Sequence, residues 1–171
     1  MGANTYRLMS GFATESEASE SEETTDEDAT LAELANMPKV VFSSTLGAPL
    51  TWPNTRLVSG DAVEAVGAMK RDGTSSMRTL GSLTLCRSLL KAGLVDRFRV
   101  VVFPVITGNT GRERIYDGYP DVALDMIASR TFDGRLQLLH YVPSAHWRWI
   151  TGMPERYVPL GSLWVDGCYR S

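Results

Sequence analysis

Cysteine and histidine are scarce in this chain, with two of each among 171 residues. Cys86 and Cys168 supply neither a disulfide framework nor metal-ligand spacing, so no metal site is expected. No Ser-His-Asp or metal constellation can be argued around His140 and His146, the only two histidines. No run of about eighteen apolar residues occurs, so no segment reads as a membrane span. No basic stretch precedes an apolar core at the N-terminus, so no secretory leader is read and a cytoplasmic setting is expected. Met1-Gly2 opens like an acylation motif, but that motif needs Ser or Thr at position 6, where this chain has Tyr6. The phosphate loop G-x-x-x-x-G-K-[ST] and the dinucleotide fingerprint G-x-G-x-x-G are both absent.

What is present is an ordinary globular composition, 43% hydrophobic and 22% charged. The net charge of −3 is unevenly spread. Residues 14–30 (TESEASESEETTDEDAT) hold eight of the 20 acidic residues and no basic one. That composition is expected to form a flexible acidic insert. The remainder is mildly basic, which suits an anionic ligand such as a nucleotide phosphate. It has no arginine-lysine cluster interleaved with aromatics, so neither nucleic acid nor a membrane is expected as a partner.

Along the chain, residues 5–12 read as a short helix and 31–36 as one helical turn. Lys39–Ser43 and Thr55–Ser59 read as buried strands. Asp61 is expected to cap a helix carrying Ala62, Val63, Ala65, Val66 and Met69. A strand over Met77–Leu80 leads through Gly81 to a helix with Ser82 at its cap and Gly93 at its end. Arg97–Val105 reads as a strand that Pro104 marks as an edge or an end. Two more strands, over 122–130 and 135–141, turn at Phe132-Asp133-Gly134. His140 is assigned a structural place on the last strand, and Cys86 a small core position. The order gives an α/β start with an antiparallel finish.

Three segments share one property: each leaves a strand, or the chain start, through Gly, Ser or Thr toward a loop or helix start. Unpaired N–H groups and the helix dipole favour an anion there. They are Gly2-Ala3-Asn4-Thr5, Ser43-Ser44-Thr45 and Gly81-Ser82-Leu83-Thr84. In open α/β sheets ligands lie beyond the carboxyl ends of strands, so three such segments point to a nucleotide site.

The strings KVVFSSTL, WPNTRLVSGD, LGSLTLCRSLLKAGLVDRFRV and FPVITGNTGRERIYDG resemble the bacterial RibD C-terminal, dihydrofolate-reductase-like family. MGANTY resembles that family's M-G-R-x-T segment, and SRTFDGRLQLLHYVP its last two strands. The resemblance covers residues 1–142 and is most specific over 81–105. It implies a dihydrofolate-reductase-like mixed sheet flanked by helices, with antiparallel C-terminal strands. It also implies a NADPH-dependent reductase; some members reduce the ribosylamino sugar of a pyrimidine intermediate in riboflavin synthesis. By position, Gly2, Asn4 and Thr5 would meet the cofactor phosphates. Ser43, Ser44 and Thr45 would hold the adenosine 2′-phosphate end. Gly81, Ser82, Leu83 and Thr84 would cradle the pyrophosphate. The family's charged residue directly after the glycine is Ala3 here, and Arg7 stands elsewhere. The resemblance further implies a pyrimidine- or pterin-like small-molecule substrate and a homodimer.

The family's opening strands and its S-x-D-G substrate loop are not found in the sequence, so no catalytic residue is named. Met1 is accordingly expected to be an internal methionine of a longer reading frame, leaving the centre of the sheet short of strands. Residues 143–171 form an atypical tail in which neither strand nor helix periodicity is read. The alternative to a working reductase is a nucleotide-binding protein without turnover.

Overall fold

A computed structural model describes residues 1–18, 26–73, 75–106, 116–144 and 163–169, with the backbone alone at 16–18, 26–28 and 163–169. The chain divides into two units, Met1–Ala65 and Val66–Ser171.

In the first unit, helix α1 (Ala3–Ala18) and helix α2 (Asp26–Asn36) precede strands β1 (Lys39–Phe42) and β2 (Thr55–Val58). The acidic stretch is therefore largely helical at both ends, and only residues 19–25 of it lie outside the described residues. Glutamate is a good helix former, and Asp-Glu-Asp is a favoured opening for a helix, so the low apolar content did not exclude helices there. β1 and β2 pair in parallel, Lys39 with Thr55 through Phe42 with Val58. The chain start joins them. The Met1 amine donates to the Val40 carbonyl (2.8 Å), the Phe42 amide donates to the Met1 carbonyl (2.9 Å), and Gly2 bridges Phe42 in parallel.

Val41 is fully enclosed, with Tyr6, Ala13 and Trp52 around it and Met9, Leu34, Leu46, Leu50 and Leu57 packed outside. The Tyr6 hydroxyl accepts from the Thr51 amide (3.0 Å) and the Trp52 amide (3.4 Å), tying the 51–52 loop to α1. Lys39 is buried, and its ammonium donates to the carbonyls of Leu34, Ala35 and Met37 at the end of α2 (2.7–2.9 Å). It also lies 4.6 Å from the Trp52 ring centroid.

Helix α3 (Ala62–Asp72) begins in the first unit and ends in the second. Asp61 caps it as expected, its carboxylate accepting the Glu64 amide at 2.9 Å. The second unit continues with β3 (Met77–Thr79), α4 (Leu83–Lys91), β4 (Arg97–Val102), β5 (Ala123–Phe132), β6 (Leu136–Ser144) and β7 (Leu163–Tyr169). α4 buries Leu85, Cys86, Leu89 and Leu90, a stripe at helical spacing, while β4 buries alternate residues Phe98 and Val100. Gly93 (φ 67°) ends α4, with Leu94 N–H bonded to the Leu89 carbonyl and Gly93 N–H to that of Leu90 (both 3.0 Å). Lys70 joins α3 to the approach of β4 through Asp96 (2.7 Å) and the Leu94 carbonyl (2.9 Å).

The five strands are ordered β3-β7-β4-β6-β5. β7 is parallel to both β3 and β4, while β6 runs antiparallel to β4 and to β5. The tail, read as lacking strand periodicity, thus supplies an inner strand of this sheet. Its Asp166-Gly167 dipeptide is a turn signal in sequence, which hides the strand. The β5–β6 hairpin closes on Asp133 (φ 49°) and Gly134 (φ 66°), with Arg135 N–H bonded to the Phe132 carbonyl at 2.9 Å. Two successive positive φ angles suit the right-handed twist of a hairpin. His140 sits half-buried on β6, in register with Arg99 of β4. Pro104 lies beyond the end of β4, which is an inner strand. Among the described residues no helix is long and apolar enough to cross a membrane.

Candidate nucleotide-binding site

In the first unit the parallel pairings fix three chain exits at one level. Gly2 bridges Phe42, Phe42 registers with Val58, and Ser43 N–H bonds the Val58 carbonyl at 3.0 Å. The segments Gly2–Thr5 and Ser43–Thr45 therefore leave the sheet side by side at its carboxyl end, with Ser59-Gly60 as the third exit. Sequence reading passed over Ser59-Gly60, although a Ser-Gly pair between a strand and the Asp61 cap was the available signal.

Two helices open at that end, and they differ electrostatically. α3 begins behind the Asp61 carboxylate, which already occupies its first turn. α1 has no acidic residue in its first turn, and its first helical bond runs from Tyr6 N–H to the Gly2 carbonyl (3.0 Å). The amides of Ala3, Asn4 and Thr5 thus have no acceptor within the helix, and they carry the positive end of its dipole. An anion is favoured at α1 and disfavoured at α3. Arg7 donates to the Asn4 side-chain oxygen at 3.2 Å, bringing a cation back toward the helix start whose first residue, Ala3, carries none.

The Ser43 hydroxyl oxygen is used within its own loop. It accepts from the amides of Thr45 and Leu46 (both 3.1 Å) and lies 3.2 Å from the Thr45 hydroxyl. It holds the turn, leaving the exposed Ser44 and Thr45 at its tip.

The third segment, Gly81–Thr84, lies in the second unit. Gly81 (φ 60°) and Ser82 (φ 59°) both adopt left-handed backbone, a conformation that is costly for serine. Ser82 occupies the N-cap position of α4, but its side chain makes no capping hydrogen bond. The expectation that it caps the helix holds for position alone, because its left-handed backbone departs from the extended conformation a capping serine adopts. α4 also lacks an acid in its first turn. Its free amides meet the electrostatic requirement of a pyrophosphate. Beneath the turn, the Cys86 thiol lies 3.5 Å from the Thr79 hydroxyl and 3.7 Å from the Gly81 carbonyl. Burial pushes that thiol above its ordinary pKa, so it stays protonated and serves as a fixed support.

Each of the two helix starts, one in each unit, lacks an acid in its first turn and leaves its first amides available to an anion. The mixed sheet with its antiparallel finish is that of an α/β domain of the dihydrofolate-reductase-like fold. The sequence profile of the RibD C-terminal domain matches residues 1–138. The chain belongs to the RibD C-terminal domain family.

A protein of Bacillus subtilis (strain 168) named "Uncharacterized protein YyaP" is 27% identical over 85 residues, spanning 49% of this chain and 45% of that protein. The chain therefore matches less than half the length of this curated relative. A crystal structure from Shewanella sp. PV-4, named "Putative riboflavin biosynthesis protein", superposes with a TM-score of 0.57 at 19% identity. The superposition covers 84% of this chain and 72% of that one. At that identity the likeness carries the fold alone.

Proposed function

We propose that the chain binds NADPH and works as a reductase on a pyrimidine- or pterin-like small molecule. The observation that carries this reading is the acid-free start of α1 beside the Ser43–Thr45 loop, at the carboxyl end of parallel strands. Family membership supports it, since RibD C-terminal domains form a reductase family.

In this reading the amides of Ala3–Thr5 and the amide group of Asn4 hold one phosphate. Ser44 and Thr45 face the adenosine 2′-phosphate end. Gly81, with no side chain to obstruct approach, and the α4 amides at Leu83 and Thr84 hold the pyrophosphate. NADPH supplies the hydride; the protein groups supply orientation and charge neutralisation. A homodimer is proposed as the working assembly.

The test is a fluorescence titration of NADPH, followed by assays of NADPH oxidation with phosphoribosylamino-pyrimidine and dihydropterin substrates. Saturable binding with substrate-dependent oxidation is expected. Absence of saturable binding overturns the proposal. Binding without oxidation on any of these substrates replaces it with the reading of a nucleotide binder that does not turn over.

A further inference from the structure

β5 ends the order of the five strands on one side, and among the described residues nothing pairs with its outer edge. All seven residues from Asp125 to Thr131 are exposed, so neither face of the strand is covered over that length. Met126 (55% exposed) and Ile127 (50%) stand at its middle. An edge of ten residues is long, and β5 has neither the Lys nor the Pro that commonly guards one. We propose that this edge is a dimer contact, in which β5 of a second copy of the chain pairs with it antiparallel about a two-fold axis.

The identity of the occupant follows from charge. Asp125 and Arg130 are the charged residues of β5, and their signs are opposite. They lie five residues apart, which on a regular strand would put their side chains on opposite faces. A bulge changes that. The pairing with β6 passes from Met126–Tyr141 to Ala128–His140, so Ile127 is an extra residue. Asp125 is opposite Val142 and Arg130 opposite Leu138, which are four residues apart on β6. Residues directly opposite one another share a face, so Asp125 and Arg130 share one.

A two-fold axis normal to the sheet keeps each face on its own side. Two copies of β5 overlapped along their whole length have that axis between Ile127 and Ala128. Asp125 of each copy then stands opposite Arg130 of the other, on the same face, an arrangement the bulge alone makes possible. The same register sets Met126 against Ser129 and Leu124 against Thr131. Each of these pairs also shares a face, through Tyr141 with Leu139 and Pro143 with Gln137 on β6. Registers that oppose Asp125 to Asp125, or Arg130 to Arg130, are repulsive. The patch is thus complementary to itself, as a two-fold contact requires. Arg130 is already held along the strand, its guanidinium carbon 4.6 Å from the Phe132 ring centroid. A side chain so placed loses less freedom in forming the pair. The contact gives a surface to the homodimer proposed above, but it rests on β5 and not on the reductase reading.

Sedimentation velocity of the full chain over a range of concentrations tests it, alongside Arg130→Asp, Asp125→Arg and the double variant carrying both. Both side chains are exposed, so all three variants are expected to melt like the parent protomer. The parent is expected to dimerise. Each single variant sets like charges opposite each other twice and is expected to weaken the dimer about tenfold or more. The double variant restores the opposite signs and is expected to recover it. Amide exchange on the parent supplies a measure that needs no variant: protection over residues 125–131 should rise with concentration. A monomer at every concentration overturns the proposal, leaving the edge to a strand of another protein or to none. So does a dimer equally tight in the single variants, a double variant that stays dissociated, or exchange over 125–131 that is independent of concentration. A chain that dimerises in this way without binding NADPH overturns the reductase reading alone, and one that binds NADPH as a monomer overturns this contact alone.

Discussion

Tyr6 is almost fully enclosed, yet its hydroxyl serves two backbone amides and the Thr51 hydroxyl. Burial pushes the phenol pKa up, and the hydrogen bonds from Thr51 and the two amides pull it down further, leaving it below the ordinary value. Tyr6→Phe leaves both amides without that acceptor, so urea denaturation should show a loss of about 1–3 kcal/mol. An unchanged midpoint would show that the loop finds another acceptor. Cys86 makes a prediction about pH. Its thiol is raised above the usual 9.0 by burial, so the folded state favours the protonated form. The stability this contributes is complete below pH 9.0 and is lost as pH rises through the higher folded value. The stability difference between the parent and Cys86→Ala should therefore shrink in alkali. Peptide mapping after iodoacetamide treatment at pH 8 should find Cys86 unmodified in the native protein. Rapid alkylation there would contradict its burial.

At the scale of elements, α4 combines a well-formed end with a strained beginning. Ser82→Gly removes the left-handed penalty at φ 59° and is expected to raise stability by up to about 1 kcal/mol, the loss of backbone entropy opposing it. If the Ser82 hydroxyl serves the cofactor, the same variant weakens NADPH binding, so stability and affinity move in opposite directions. Affinity unchanged in the stabilised variant removes Ser82 from the site. This helix also shows what the sequence discloses. Its apolar stripe, its start near Ser82 and its stop at Gly93 follow from spacing and glycine chemistry. The left-handed Ser82 does not, because no local pattern distinguishes a serine whose side chain caps from one that makes no capping bond. The α3 cap and the β5–β6 turn were legible for the same reason: Asp61 and Asp133-Gly134 carry their geometry in their own side chains or lack of them. The helical ends of the acidic stretch were hidden because low apolar content was read as evidence against order.

At the scale of the molecule, the mixed sheet followed from the order of its elements, whereas the place of β7 did not. A strand from the far end of the chain lies between β3 and β4, pairing six residues of one and three of the other. Ending the chain at Pro143 removes those partners and leaves inner-strand donors and acceptors unpaired, each costing about 1–3 kcal/mol. Since domains have a margin of about 5–15 kcal/mol, the shortened chain should aggregate or lose amide protection throughout β4. Hydrogen exchange on that chain decides the matter, and full protection of Val100 and Val101 would mean that β7 is dispensable.

The same placement governs when the second unit can mature during synthesis. β3 (Met77–Thr79), α4 and β4 (Arg97–Val102) leave the ribosome well before β7 (Leu163–Tyr169), the strand that joins β3 to β4. At translation speeds of about 5–20 residues per second, those two strands wait several seconds with exposed edges. A nascent chain carrying such edges is a natural client for chaperones that shield unpaired strands. Stalling translation just before Leu163 should leave the second unit protease-sensitive, while the first, which contains no late residues, is already resistant.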